Sequence, residues 1–304
     1  MSVRALSTTA LFLALAASLP SGALAVPPAT PTGMRYQRTI YADSADVALK
    51  SPEGVACDDR GAVVIADTGN ARLLTYRWKD GALEGGTQVK LAQLSYPVRV
   101  QIDSKGFVFA LDRRARRIVK VDAKGEFAGF VEPQGASSPV TPSAFKLDAS
   151  DNMYVLDVAA KRVLVLAPDA RVTREIPLPK ASGIIDVAVD SGGRIYIVDA
   201  VSAVVFSADK AATSFEPLSK SLKEQISFPG YLAADNRGRL YVVDQNGNAV
   251  VKLGVDGTFQ GRELGIGWND GLVYYPAQLC LNAGGDAFLA DRNNNRVQVF
   301  AVSR

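Results

Sequence analysis

The 304-residue sequence contains no histidine, which excludes histidine-based catalytic triads and histidine-ligated zinc or haem. Its two cysteines are too few for a four-thiolate metal site or a disulfide-dense scaffold. Charges nearly balance, with 34 Lys and Arg against 31 Asp and Glu, so charge gives no general argument for a nucleic-acid partner. After the N-terminal region no run of about 18 apolar residues occurs, so we expect no membrane span.

The first 25 residues have the pattern of a secretory signal peptide. A single charge, Arg4, precedes a short apolar run over residues 10–19, and Ala23-Leu24-Ala25 is an A-x-A cleavage site. We therefore predict cleavage after Ala25, a flexible Pro-rich lead-in over residues 26–33, and export to the periplasm or the extracellular space. The alternative is a retained membrane anchor or a buried N-terminal helix.

A short apolar strand that ends in Asp recurs six times. These residues are Asp67, Asp112, Asp157, Asp199, Asp244 and Asp291. Nine residues before each lies Asp or Asn, and in five repeats Gly follows three residues later, as in a hairpin turn. A third β run and a weaker fourth follow each Asp. Each repeat is therefore predicted to be a four-stranded antiparallel sheet, with the period of a propeller blade.

Six such sheets bury both their faces when they are arranged in a ring. The sequence therefore predicts an all-β fold, a six-bladed β-propeller that forms one domain over residues 34–304. The last repeat ends after its third strand, whereas an additional β run, Met34–Tyr41, precedes the first repeat. We predict that this run pairs with Arg296–Val302, supplies the missing strand of the last blade and closes the ring.

The repeats resemble the NHL repeat of six-bladed propellers, of the type found in secreted bacterial proteins. The matching segments are Pro52–Asp58, Ile65–Arg72 and Ala290–Phe300. The resemblance implies a fold and not an activity, because one fold hosts many functions. Val204 and Ala249 stand where the repeat has Arg, so the contact of that Arg is expected to be absent from the fourth and fifth blades.

The strand-ending Asp residues are predicted to be structural and not a catalytic ring of carboxylates. Repetition in every blade is what packing requires, whereas catalysis does not require it. Each Asp can accept hydrogen bonds from the following loop. In four repeats it can also pair with an Arg five residues later: Asp67 with Arg72, Asp112 with Arg117, Asp157 with Arg162, and Asp291 with Arg296.

The innermost strand of each repeat is predicted to line a central channel. Alternation places the second and fourth positions after its first residue on one face. The polar residues at these positions are Arg99, Gln101, Lys146, Asp186, Tyr231 and Gln278. They could bind a small anion or an acidic tail. We favour a hydrated, internally paired channel in which Asp186 contacts Arg99 or Lys146.

Two loops are candidates for a binding rim. The first contains Arg113, Arg114, Arg116 and Arg117, and could dock an acidic protein or a polyanionic envelope component. Its alternative is a solvated turn in which Asp112 pairs with Arg117. The second, residues 265–275, contains Trp268, Tyr274 and Tyr275 among glycines. It suits a recognition surface or a cover for the seam between the last two blades.

Cys57 and Cys280 lie in the innermost strands of the first and last repeats, which a ring makes neighbours. Their strand positions differ by one, so they are expected to face opposite ways. We therefore predict two buried thiols, with a disulfide as the alternative.

Together these features predict an exported, non-enzymatic recognition scaffold. It would bind a protein or glycan on its loop rim, as a monomer, without catalytic residues, cofactor or nucleic acid. The alternative is a calcium-dependent hydrolase similar to gluconolactonase or strictosidine-synthase-like propellers. Glu53 and Asp186, with Asn269 or Asp270, would then hold the metal in the channel. A copper-dependent amidating lyase, also NHL-like, is rejected because that chemistry depends on histidine.

Overall fold

The computed structural model describes residues 33–180 and 183–302, so the predicted signal peptide and nearly all of the lead-in lie outside the described residues. Twenty-four strands form six four-stranded sheets in this part of the chain, and every sheet is antiparallel. The predicted six-bladed propeller is confirmed. Among the described residues no helix is long and apolar enough to cross a membrane.

The first three blades follow one another along the chain. Blade 1 has β2 (Gly54–Cys57), β3 (Ala62–Asp67), β4 (Arg72–Lys79) and β5 (Ala82–Val89). Blade 2 has β6 (Pro97–Ile102), β7 (Val108–Asp112), β8 (Arg117–Val121) and β9 (Phe127–Phe130). Blade 3 has β10 (Ala144–Leu147), β11 (Met153–Asp157), β12 (Arg162–Leu166) and β13 (Val172–Pro177).

The other three blades complete the ring. Blade 4 has β14 (Ile184–Val189), β15 (Ile195–Asp199), β16 (Val204–Ala208) and the short β17 (Glu216–Pro217). Blade 5 has β18 (Pro229–Ala234), β19 (Leu240–Asp244), β20 (Ala249–Leu253) and β21 (Phe259–Glu263). Blade 6 has β22 (Pro276–Leu281), β23 (Asp286–Asp291), β24 (Arg296–Val302) and, as its outer strand, β1 (Met34–Ile40). One-turn 3-10 helices, Thr68–Asn70 and Arg292–Asn294, follow β3 and β23.

Ring closure follows the sequence prediction. β1 pairs antiparallel with β24, with Ile40 opposite Val297 and Tyr36 opposite Phe300. The blade therefore combines three strands from the end of the chain with one from its beginning. This pairing leaves no open edge on β24, where another chain could otherwise add a strand.

The core is divided among the six seams between neighbouring blades. One cluster of buried apolar residues fills each seam, and the two faces of a blade serve different seams. Val55 and Ile65, for example, face blade 6, whereas Ala56 and Val64 face blade 2. This division follows from the alternation of side chains along a strand.

The prediction of two free thiols is wrong, because Cys57 and Cys280 form a disulfide with their Cα atoms 5.8 Å apart. A seam joins the opposite faces of two neighbouring sheets. Strand positions of opposite parity therefore meet there, and an offset of one position brings the two sulfur atoms together. The backbone N–H of Cys57 also lies 2.8 Å from the sulfur of Cys280.

The ring has two ends, an upper rim and a lower face. The upper rim consists of the loops from the second to the third strand of each blade, together with the connections between blades. The lower face consists of the turns between the first and second strands and between the third and fourth. Because every innermost strand runs from the upper rim to the lower face, its first residues lie nearest the upper rim.

Candidate functional site

The channel is crossed by Arg99 of blade 2. Its Nη2 donates to the carbonyl oxygen of Gly230 in blade 5, on the opposite side of the ring, at 3.0 Å. Its Cζ lies 5.0 Å from the ring centroid of Tyr231, and its Nε lies 4.0 Å from Oδ1 of Asp186 in blade 4. Three of the residues predicted in the channel are thus brought together as one internally paired group.

Asp186 is buried at this crossing. Its Oδ2 accepts a hydrogen bond from the backbone N–H of Leu232 at 2.7 Å. Burial raises the pKa of Asp186 to about 6, although the neighbouring Arg99 and the Leu232 N–H oppose the rise. Within the described part of the chain, Nε of Arg99 and the hydroxyl of Tyr231 are buried without a hydrogen-bond partner.

Gln278 ties blade 6 to blade 2 across blade 1. Its Oε1 accepts from the N–H of Val100 at 3.1 Å, and its Nε2 donates to the Val100 carbonyl at 2.8 Å. The side chain passes over Gly54, where an added Cβ would lie 3.2 Å from Oε1 and 2.9 Å from the Cβ of Ala66. Both polar atoms of the Gln278 side chain are therefore used in contacts between blades.

Gln101 and Lys146 lie closer to the lower face, where they line a funnel of about 500 Å³. Carboxylates of the first turns surround it, but each accepts hydrogen bonds within its own turn or from the first turn of a neighbouring blade. Asp103, for example, accepts from the backbone N–H groups of Lys105 and Phe107 at 2.9 and 2.8 Å. The acidic character of the funnel is thus a by-product of turn formation.

On the upper rim, Glu53 is held by residues from two neighbouring blades. Arg113 of blade 2 and Arg292 of blade 6 each lie 3.2 Å from its carboxylate, and the hydroxyl of Tyr96 lies 3.4 Å away. Arg292 also lies over the ring of Tyr275, 5.4 Å from its centroid. Glu53 therefore links the basic loop to the aromatic loop. Repeat matching gave no signal for Arg292 or Tyr96, since both stand outside the repeated positions.

The candidate calcium ligands are engaged separately. Two guanidinium groups hold Glu53, and Arg99 accompanies Asp186. Asp270 lies beside blade 6, where it accepts from the hydroxyl of Thr39 at 2.9 Å. Over residues 33–180 and 183–302, no group of three His, Cys, Asp or Glu side chains is placed to hold a metal ion.

The predicted pair of Asp112 and Arg117 is wrong. Arg117 turns towards Glu132, 2.8 Å away, and its Cζ lies 4.1 Å from the ring centroid of Phe130. Phe130 occupies the fourth-strand position that Arg262 occupies in blade 5, and it attracts the guanidinium to its ring face. The other three predicted pairs form, with Nε or Nη2 of the Arg within 3.3 Å of the Asp.

Asp112 is instead satisfied by backbone groups. It accepts hydrogen bonds from the N–H groups of Ser95, Tyr96, Arg114 and Ala115 at 2.5–2.9 Å. Burial alone would raise the pKa of Asp112, but these bonds hold it below its usual value. Arg117 is therefore not needed as the partner of Asp112 and makes its contacts on the upper rim instead.

Blade 5 shows the converse arrangement. Ala249 replaces the repeat Arg, yet Asp244 still has a guanidinium partner. Arg262 of the fourth strand supplies it, with Nη1 2.7 Å from Oδ2. The contact of the repeat Arg itself is absent from blade 5, as expected, but a neighbouring strand supplies another guanidinium group to the same buried carboxylate.

The basic loop borders a groove between blades 2 and 3. The opposite wall is the connecting segment 131–143, which contributes Pro133, Pro139 and Pro142. Two adjoining cavities of about 560 and 280 Å³ form the groove, and Arg116 and Pro142 line both. Arg113 and Arg117 each line one of them. The fourth predicted arginine, Arg114, lies over the ring of Tyr96 instead.

The aromatic loop separates its predicted roles among different residues. Trp268 and Tyr274 face outwards, 75% and 38% exposed, with ring centroids 6.4 Å apart. Val273, between them in sequence, is fully buried in the seam between blades 5 and 6. The loop thus covers the seam with its valine and presents two aromatic rings to solvent.

Comparisons with known proteins agree on the architecture. The NHL repeat model matches residues 273–300, which lie in blade 6 and the approach to it. A search of curated proteins finds no match. Among solved structures, virginiamycin B lyase from Staphylococcus aureus superposes with a TM-score of 0.63 at 14% identity, over 88% of this chain and 99% of that one.

A gluconolactonase from Xanthomonas campestris gives a TM-score of 0.63 at 15% identity, over 90% of this chain and 99% of that one. A streptogramin B lyase gives 0.61 at 13%, over 89% and 97%. Identities this low show the fold alone. The chain is a six-bladed β-propeller, and its last blade with the approach to it matches the NHL repeat.

Proposed function

We propose that this protein is an exported recognition scaffold whose upper rim binds an acidic segment of a protein partner. The observation that carries the proposal is the meeting of Arg113, Arg116 and Arg117 on the groove between blades 2 and 3. A groove of this kind offers an apolar floor for an extended chain and guanidinium groups for its carboxylates.

The charge of the groove favours an acidic occupant. Arg116 forms no ion pair with the residues described, and Glu132 is the groove's one carboxylate among its lining residues. The Arg117–Glu132 pair is about half exposed on both sides, so a carboxylate of a partner can replace Glu132 at little cost. The positive charge is therefore available to a partner.

Trp268 and Tyr274 offer a second contact on the same rim. Glu53 connects their loop to the groove. It pairs with Arg113 of the groove and with Arg292, which lies over the ring of Tyr275 in the aromatic loop. Exposed aromatic side chains beside a charged groove are typical of residues that dominate binding energy at interfaces. We propose that they receive an apolar residue of the partner.

Export is part of the proposal. The disulfide between Cys57 and Cys280 supports it, because such bonds persist in oxidising compartments outside the cytosol. The signal-peptide pattern of residues 1–25 points the same way. Mass spectrometry of the protein purified from a secreting host should find a chain that begins at Val26; a chain that retains its leader would contradict export by this route.

Enzymatic alternatives have less support from the residues present. A variant of virginiamycin B lyase with one histidine replaced by alanine is described as catalytically inactive, whereas this chain contains no histidine. The candidate calcium ligands, Glu53 and Asp186, are each occupied by arginine.

Fluorescence anisotropy tests the groove. A fluorescein-labelled peptide with six glutamates should bind the wild type at 0.15 M salt, and Arg113→Glu/Arg116→Glu should weaken binding at least tenfold. Lys124→Glu is the matched control, because Lys124 is exposed in the lower turn of the same blade, and it should change affinity less than twofold. Equal loss in both variants would refute the groove. Binding of an oligouronate in place of the peptide would show that the partner is a glycan.

A further inference from the structure

Blades 2 and 5 carry a lysine at the same place in their third strands. Lys120 follows Asp112 by eight residues, and Lys252 follows Asp244 by eight. Each lies opposite a glycine of the fourth strand, Gly129 in blade 2 and Gly261 in blade 5. The two lysines therefore occupy equivalent positions of the repeated sheet, and their surroundings can be compared directly.

The lysine of blade 5 has a carboxylate partner within its own blade. Nζ of Lys252 lies 3.3 Å from Oε1 of Glu263, and both side chains are largely buried. Glu263 lies opposite Val250. The corresponding residue of blade 2 is Val131, whose N–H bonds to the carbonyl of Ile118. A valine thus stands in blade 2 where blade 5 has the counter-ion.

Lys120 instead lies among aromatic rings. Its Nζ is 4.2 Å from the ring centroid of Phe107 and 5.6 Å from that of Phe109. Over residues 33–180 and 183–302 it forms no ion pair. The ring faces attract the ammonium group, but they do not neutralise it.

These residues line a cavity between blades 2 and 3 on the lower side of the seam. Its volume is about 510 Å³, within the range of small-molecule sites. Phe130, Met153 and Leu166 complete an apolar wall that both blades supply. The cavity therefore combines the ammonium group of Lys120 with aromatic and aliphatic surfaces, and the exposed Lys105 of the first turn of blade 2 also lines it.

Three carboxylates border the cavity, and each has other partners. Asp103 accepts from backbone N–H groups of its own turn. Both oxygens of Asp151 accept from Ser104, at 2.8 and 2.6 Å. Asp169 lies 3.7 Å from Nε of Arg171. The position next to the lysine is therefore left for a ligand.

We propose that this cavity binds an aromatic monocarboxylate, whose carboxylate takes at Lys120 the place that Glu263 takes at Lys252. A partly buried ammonium group is stabilised by a counter-ion, which the sheet itself supplies in blade 5 but not in blade 2. Phe107, Phe109 and Phe130 favour an aromatic body, because edge-to-face ring contacts add to simple burial. The site shares one lining residue, Val131, with the rim groove, and the proposed rim function does not depend on it.

The probes are 2-naphthoate and its neutral amide, 2-naphthamide, titrated against the full mature chain by calorimetry. The wild type should bind the acid at least tenfold more tightly than the amide. Lys120→Met keeps the apolar stem and should abolish this preference while changing the affinity for the amide less than threefold. Lys252→Met is the matched control and should leave both affinities unchanged.

Val131→Glu supplies the missing carboxylate from within the blade. It should weaken 2-naphthoate binding at least tenfold, because the ligand then meets a neutralised lysine and a like charge. Thermal unfolding checks that each variant folds, and Lys120→Met decides the question if Val131→Glu does not fold. Equal binding of acid and amide by the wild type would overturn the proposal, as would a preference that survives Lys120→Met. The acidic-peptide assay on Lys120→Met keeps the rim groove separate from this cavity, because Lys120 lines the cavity and not the groove, whereas Val131 lines both.

Discussion

Two seams of the propeller differ in how firmly they are held. The seam between blades 6 and 1 carries the Cys57–Cys280 disulfide, and two partly buried hydrophobic side chains flank its cluster. The seam between blades 2 and 3 has seven such side chains and two large cavities. The seven are Tyr96, Phe107, Val131, Ala136, Val140, Leu147 and Val172.

The difference follows from where the chain begins and ends. Blade 6 unites strands from both ends of the propeller, so it must hold together contacts that are far apart in sequence and entropically expensive to close. Blades 2 and 3 are joined by a continuous segment, so their seam can remain partly open without loss of the ring. The seam between blades 2 and 3 can therefore offer binding surface, because closure of the ring does not depend on it.

Removing the disulfide should produce the largest effect. The cysteines are 223 residues apart in sequence, and chain-entropy arguments give about 5 kcal/mol for a loop of that length. We expect Cys57→Ser/Cys280→Ser to lower the free energy of unfolding in guanidinium by about 3–5 kcal/mol. Dithiothreitol should destabilise the wild type by a similar amount and leave the double variant unchanged. A loss below about 1 kcal/mol would mean that β1 alone closes the ring.

Arginines at one repeat position should differ sharply between blade 6 and blade 2. Arg296 is 3% exposed, lies 2.7 Å from Asp291 and donates to the carbonyls of Asn269 and Leu272. Arg296→Ala leaves a buried carboxylate without its cation and should cost about 3–5 kcal/mol. Arg117→Ala removes a half-exposed pair and should cost about 0–1 kcal/mol. Urea denaturation of both variants tests this, and similar losses would show that the rim arginine is structural after all.

This pair of arginines also shows how far the sequence could be interpreted. Blade number, strand order and closure by Met34–Ile40 follow from spacing and alternation, which are properties of the backbone. The partner of Arg117 does not follow from them. It depends on Glu132 and Phe130, which lie outside the repeated positions and belong to the fourth strand and the connection after it.

The site was predictable where the alternation along the innermost strands and the ring alone bring its residues together. Arg99 and Asp186 were expected in the channel, and their pairing needs only the ring geometry. The ion pair of Arg292 with Glu53 and the disulfide depend on how blades 6 and 1 are positioned relative to each other. A repeat pattern describes each blade by itself, so contacts across a seam are the ones it misses.

Asp186 allows a third test of the comparison. It lies beside Arg99, which joins blade 2 to blade 5 across the ring and does not strengthen the seam between blades 2 and 3. The folded protein holds the Asp186 proton to about pH 6, above its usual pKa near 3.8. Asp186 therefore stabilises the fold most below about pH 4, and this stabilisation is lost as the pH rises through 6. A shift of this size corresponds to at most about 3 kcal/mol.

The variant Asp186→Asn removes this titration and leaves Arg99 in place. The stability of the wild type minus that of the variant should therefore fall by about 2–3 kcal/mol between pH 4 and pH 7, measured by urea denaturation. A difference that rises with pH would show that the Arg99 ion pair outweighs burial.

Leucine truncations compare the packing of the two seams directly. Leu74 is fully buried between blades 6 and 1, whereas Leu147 is partly buried between blades 2 and 3. Leu74→Ala should cost about 3–5 kcal/mol, since a tightly packed site cannot collapse around the lost atoms. Leu147→Ala should cost about 1 kcal/mol, because Leu147 already borders a cavity and gives up less burial. Equal losses in thermal unfolding would mean that the seam between blades 2 and 3 is as well packed as the seam between blades 6 and 1, and the open seam would then no longer account for where ligands bind.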